Sequence, residues 1–281
     1  MILAQSAPAT RAVMQATKSI PIGMIGVGNR VEYGIVASHA RPGGNVTGST
    51  CLADESVRKL LQLLKEAVPR LRSAAVFSNP SNEGAAPMVK LLRADADGYG
   101  IRAQFVDVSG PGDFEAAFAA IRRENTESIL LPPEPLIRTQ RDRIGGFALT
   151  QGLPLAVVGS SRYLPASGLI RYGPTGVQYA ETTARYVDRI LGGAKPSDLP
   201  VEEPARFELT INLMTAKALG LTIPQVLLLR ADEVIQRQSA NDRIGRFRTL
   251  DMLERRTSNP SLNRTGQYTA SHWRASARPA G

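Results

Sequence analysis

The stretch 101-IRAQFVDVSGPGDFEAAFAAIRRENTESILLP-132 contains the pattern on which the fold turns. Residues 101–108 read as a strand. Phe114, Ala117, Phe118 and Ile121 then recur at i, i+3, i+4 and i+7, one face of a helix, with Pro111 near its start. ESILLP (127–132) is a short apolar run of strand length. A strand, a helix of about ten residues and a second strand make a βαβ unit, which implies parallel pairing.

The same unit repeats on both sides. Upstream, Val57, Leu60, Leu61, Leu64, Ala67 and Val68 fall at helical spacing behind Asp54, which is placed as the N-cap. SAAVFS (73–78) reads as a buried strand and 83–98 as a helix. Downstream come a helix from about 136 to 151 and the strand LPLAVVG (153–159). The strands are apolar throughout, as expected when helices cover both faces of a sheet. Residues 54–159 therefore form a doubly wound lobe.

A further unit precedes it. Residues 8–17 read as a helix, 19–27 (SIPIGMIGV) as a strand and 31–40 as a helix that ends at ARPGGNVTG (40–48). Pro42 cannot continue a helix, Gly43 and Gly44 free the backbone, and Val46 and Thr47 start an extended segment. After the lobe, GLIRYG (168–173) reads as a strand. Residues 176–192 read as a helix with Val177, Ala180, Ala184, Val187 and Leu191 inward. KPSDLP then turns, FELTINL is a strand and 213–219 a short helix closed by Gly220. The expected partition is a first lobe over 1–50, a second over 51–173, a return to the first over 174–238, and a disordered tail over 239–281.

Bulk properties narrow the function. The net charge is +9, but the tail from Ser239 holds eight arginines against Asp242, Asp251 and Glu254, so +5 of it lies there. The remainder is an ordinary solvated surface, and no nucleic-acid partner is expected. The single Cys51 excludes an internal disulfide and reads as a small packed side chain. His39 and His272 lack companions at metal-ligand spacing. No run of about 18 apolar residues spans a membrane, and no charged-then-apolar leader opens the chain.

Chemical motifs are sparse. Gly26–Val27–Gly28 starts like a dinucleotide-binding turn, yet Val31 stands where the third glycine belongs. Gly159–Ser160–Ser161 lacks the closing glycine of a nucleophile elbow. What recurs at strand ends is polar loops: Gly28–Asn29–Arg30, Asn79–Pro80–Ser81–Asn82, Pro132–Pro133–Glu134 and Ser160–Ser161–Arg162–Tyr163. Loops of this kind facing one cleft favour binding over catalysis, so no cofactor is expected. Two alternatives stay open: a nicotinamide-dependent oxidoreductase using GVGNR, and a ligand-sensing regulator.

SIPIGMIGVGNRVEYGIVASHARPGGNVTG, LLQLLKEAVPRLRSAAVFSNPSN, GLIRYGPTG and FELTINLMTAKALGLTIPQVLLLRADEVI together resemble one family across about residues 2–236. It is the ABC-transporter substrate-binding proteins of the type I periplasmic-binding fold, aromatic amino-acid type. The resemblance implies an α/β chain of two lobes with parallel doubly wound sheets, closing on a small ligand and delivering it to a permease in the periplasm. It also implies that Ile2–Leu3–Ala4 finishes a strand preceded, in the family, by a signal peptide and a β-α-β-α unit. The N-lobe is then expected to be incomplete, the chain a truncated or mis-started form, and, as written, retained in the cytoplasm. Asn29–Arg30 replaces an Asp-Pro usual in the family, which alters the charge of the cleft.

The site expected on these grounds draws Asn79, Ser81, Asn82, Glu134, Ser160, Ser161 and Tyr163 from the second lobe. Ser6, Asn29 and Tyr172 face them from the first lobe and the crossings. Asn and Ser donate to a carboxylate, Glu134 accepts from an ammonium, and the tyrosines pack an apolar body.

Overall fold

Strand pairing organises the chain around two sheets, seen in a computed structural model that describes residues 1–28, 31, 33–82, 85–160 and 163–236. The smaller, three-stranded sheet is parallel and ordered β1 (Ile2–Gln5), β2 (Ile22–Ile25), β3 (Val46–Gly48). Helix α1 (Ala7–Ala16) joins its first two strands and packs Ala7, Ala9, Val13 and Met14 against Ala4, Ile22, Met24 and Val46.

Chain that leaves β3 enters the larger sheet. There α2 (Ala53–Ala67), β4 (Ser73–Ser78), α3 (Ala85–Gly98), β5 (Arg102–Asp107), α4 (Phe114–Arg123), β6 (Ile129–Leu131), α5 (Pro135–Thr139), α6 (Arg141–Gln151) and β7 (Leu155–Val158) follow the expected alternation. All six residues of β4 are buried. Its period-two alternation sends Ala74 and Val76 toward the α2 and α3 leucines, and Ala75 and Phe77 toward α4. On that second face Phe77 stacks on Phe114 at 5.8 Å and Phe118 on Phe147 at 4.2 Å.

The rest of the chain is β8 (Ile170–Pro174), α7 (Gly176–Leu191), β9 (Phe207–Asn212), α8 (Leu213–Ala218), α9 (Gln225–Leu228) and β10 (Glu233–Ile235). The seven-stranded order is β10-β9-β8-β7-β6-β4-β5, parallel except for the antiparallel β8–β9 pair. The segment expected to return whole to the first lobe is therefore divided. Helix α7 packs Tyr186 and Ile190 with Leu199 and Met1 on the small sheet. Strand residue 202 bridges Ser49 there. β9 and β10 go back to the large sheet, because β8 leaves an edge that β9 can pair with directly.

Local expectations fail at four more places. Residues 31–40, expected as a helix, form turns and bends where described: Gly34 takes a left-handed φ of 61°, and Ala37 N–H bonds Pro42 O at 2.9 Å. Asp54 lies inside the first turn of α2, and Leu52 precedes the helix instead. The helix drawn over 136–151 is interrupted at Gln140, which separates α5 from α6. Helix α7 is rotated from the expected apolar stripe, so Thr182, Tyr186 and Ile190 are buried while Val177 and Leu191 are 64% and 73% exposed. Polar partners set that rotation, with Tyr186 Oη bonded to Pro200 O and to Glu202, and Thr182 Oγ1 to Glu202. The tail over 239–281 lies outside the described residues.

Candidate binding cleft

Open α/β sheets bind ligands outside the carboxyl ends of their strands, and here such ends from both sheets converge. From the small sheet, Ser6 follows β1 with the unusual backbone φ 84°, Gly26 follows β2 at φ 62°, and Cys51 follows β3. From the large sheet come Pro132 and Pro133 after β6 and Ser160 after β7. These residues line a cavity closed further by Tyr163, Tyr179, Arg138 and Arg141. A second compartment shares Ser6, Gly26, Cys51 and the prolines, and adds Asn79, Asn82, Glu134 and Asp54.

Ser160 is held from behind. Gly159 sits at φ 139°, and a Cβ on Gly173 would meet Gly159 N at 2.7 Å, so the β7–β8 approach needs glycine. Arg171 is fully buried beneath it, donating from Nη1 to Gly159 O at 2.9 Å, from Nη2 to Thr210 Oγ1 at 2.7 Å and to Glu208 at 3.1 Å. Burial pushes the Arg171 pKa down and Glu208 pushes it back up. Ser160 itself is 5% exposed, and its Oγ has no hydrogen-bond partner among the described residues.

Glu134 has a definite local task. One carboxylate oxygen accepts from Ile137 N–H at 2.9 Å and caps α5, and the other accepts from Asn79 Nδ2 at 3.0 Å. Asn79 Oδ1 in turn accepts from Ser81 N–H. Glu134→Ala is expected to cost about 1–2 kcal/mol through loss of the cap. Glu134→Gln should keep most of that stability, as thermal melts of the two variants would show.

The cleft gathers Ser6, Asn79, Asn82, Glu134, Ser160 and Tyr163 of the expected residues. Ser81 is exposed and lines neither compartment, since its backbone is spent on the Asn79 turn. Tyr172 stands away from both, stacked on Phe207 at 5.6 Å, with its phenol pKa raised by burial first and Asp232 second. Asn29 and Ser161 lie outside the described residues. Sequence reasoning missed Arg138 and Arg141, which fall within the helix expected over about 136–151, and Tyr179, one residue off the expected α7 stripe. Tyr179 is partly buried, and desolvation raises its phenol pKa so that it stays a neutral donor.

Across the cleft, Gln5 Nε2 donates to Tyr163 Oη at 3.4 Å, and the Arg138 guanidinium lies 4.7 Å over the Tyr163 ring. Among the described residues no three side chains form a metal-ligating group. Nor, among those residues, is a helix long and apolar enough to cross a membrane. Among the described residues, no base is hydrogen-bonded to Ser160 Oγ.

The sequence matches the ABC transporter substrate binding protein family over residues 1–235. The chain belongs to that family. A tyrosine-binding protein of Clostridioides difficile is 26% identical over 239 residues, covering 83% of this chain and 67% of its own length. A conserved domain protein from Vibrio cholerae is 29% identical with a TM-score of 0.75, covering 83% of this chain and 77% of that one. The ABC domain in complex with L-Trp from Streptococcus pneumonia shares the fold at TM-score 0.75 and 22% identity, covering 84% and 78%. This substrate-binding protein thus has the two-sheet fold of its family, with mostly parallel sheets. Nothing in these relatives supports the oxidoreductase or regulator readings.

Proposed function

We propose that the cleft holds a small solute of amino-acid size, which this non-catalytic protein hands to the permease of an ABC importer outside the cytoplasmic membrane. The observation that carries this reading is the convergence of strand-end residues from both sheets on one cavity, Ser6, Gly26 and Cys51 opposite Ser160 and Tyr163. Relatives that bind tyrosine and tryptophan make amino acids and related carboxylates the first candidates. Asn79, Asn82 and Ser6 serve as polar contacts in the second compartment, and Tyr163 and Tyr179 as apolar walls with donor tips. Ser81, Tyr172, Asn29 and Ser161 remain candidates for the closed, liganded form.

A thermal screen against amino acids and small carboxylates tests it. Ligand at about a hundred times its Kd adds roughly 2.7 kcal/mol, a rise of about 5–10 °C for a chain of this size. No shift with any compound, together with turnover in hydrolase or dehydrogenase assays, would overturn the reading.

A further inference from the structure

The compartment beside Ser160 has a one-sided charge. Among the described residues, the charged side chains lining it are Arg138 and Arg141, both cations; Asp142 Oδ2 lies 3.5 Å from Arg141 Nη2 and is not itself in the lining. The acids Asp54 and Glu134 line the neighbouring compartment, and both Glu134 oxygens already accept hydrogen bonds.

A third source of positive potential lies in the same wall. Helix α7, 16 residues long, starts at Gly176, and a Cβ on Gly176 would sit 3.7 Å from Ser160 Oγ. Pro174, just before this helix, and Tyr179, on its first turn, both line the cavity. Thr175 Oγ1 caps Gln178 N–H, whereas the N–H groups of Gly176 and Val177 precede it and have no acceptor within the helix. The positive end of a helix and its uncapped amides favour an anion.

Ser160 Oγ supplies an independent observation. A buried hydroxyl without a partner costs free energy, and it is retained here at the cavity wall against the first turn of α7. A carboxylate seated there would accept from this hydroxyl and face the two guanidiniums.

Resting on the small-solute reading above, we infer that the protein recognises its ligand by a carboxylate at Ser160 and the α7 N-terminus, and that an ammonium group is dispensable. The ligand class is an organic carboxylate with an apolar body, of which amino acids are one subset. The prolines and tyrosines of the compartment supply the apolar walls for that body.

Titration calorimetry on the full chain decides the matter with matched probes: L-tryptophan, L-tyrosine and L-leucine, their des-amino acids indole-3-propionate, 3-(4-hydroxyphenyl)propionate and 4-methylpentanoate, and the amines tryptamine, tyramine and isoamylamine. At least one des-amino acid should bind within about tenfold of its amino acid, and the amines should not bind. Ser160→Ala should weaken the carboxylates by roughly tenfold or more, the worth of a hydrogen bond to a charged group. The same variant should leave the ligand-free melting point unchanged or higher, because it removes a hydroxyl that has no partner.

Amines binding as well as the des-amino acids would overturn the inference while leaving the small-solute reading intact. So would a Ser160→Ala variant of unaltered affinity. Binding by none of the probes would overturn this inference, and the small-solute reading would then stand or fall by the wider thermal screen.

Discussion

Replacing Arg171 with leucine is expected to lower stability by about 3 kcal/mol or more and to abolish ligand binding. The guanidinium is fully buried and serves three acceptors, Gly159 O, Thr210 Oγ1 and Glu208. Leucine keeps the volume apolar but orphans the Gly159 carbonyl, and each buried unsatisfied group costs about 1–3 kcal/mol. Glu208 is 39% exposed and recovers part of its loss from water, which keeps the figure at the low end. For a chain of this size the melting point should fall by about 6–12 °C. Arg171→Lys should recover less than half of this, since one ammonium cannot reproduce the planar fork. Gly159 precedes Ser160, so the same variant should displace the cleft wall. Parallel melts and ligand titrations of both variants would check this; a leucine variant that melts within 2 °C of the parent, as roughly the effect of under 1 kcal/mol, would contradict it.

Gly48→Ala should damage the small sheet selectively. Gly48 has φ 139°, and a Cβ built there falls 2.0 Å from Met24 O and 2.8 Å from Met24 N. Both atoms belong to the backbone of β2, which pairs with β3 through Met24 and Gly48, so neither can yield without breaking the ladder. The cost should be about 3–5 kcal/mol, the range of strained backbone combined with lost core packing. Hydrogen exchange offers the sharper readout. Amides of β1 to β3 should lose protection while β4 to β7 keep theirs, because the large sheet draws its core from α2, α3 and α4. Uniform loss across both sheets would show that the two do not unfold separately.

The last glycine of ARPGGNVTG thus has a physical reason that the sequence alone could not supply. Pattern reading placed the start of an extended segment at Val46 and Thr47, and β3 forms there in the small sheet. Backbone collision with a strand more than twenty residues away has no local signature. The doubly wound core from 54 to 159 was legible because hydrophobic period and burial agree at nearly every position, as in the buried face of α4. The helix expected at 31–40 failed because Gly34 adopts a left-handed turn inside an otherwise plausible pattern.

For α7 the apolar stripe was present and misleading. Its rotation is fixed by hydroxyl and carboxylate contacts to residues 200 and 202, brought near only by the tertiary fold. Of the polar strand-end loops, Asn79, Asn82, Glu134, Ser160 and Tyr163 line the cleft. Arg138, Arg141 and Tyr179 were invisible because helical position says nothing of which groove a side chain enters.

Chain passes between the two sheets at three places: after β3, between β8 and α7, and again between residue 202 and β9. Mechanically, several short straps set side by side act like the leaves of a hinge. They permit bending about the line that joins them and resist sliding or twisting. Bending is then the compliant motion left between the sheets, and the Gln5–Tyr163 separation, 3.4 Å here, is a distance that such bending would change. A solute entering the cleft need therefore immobilise only one collective motion, which keeps the entropic cost of capture small.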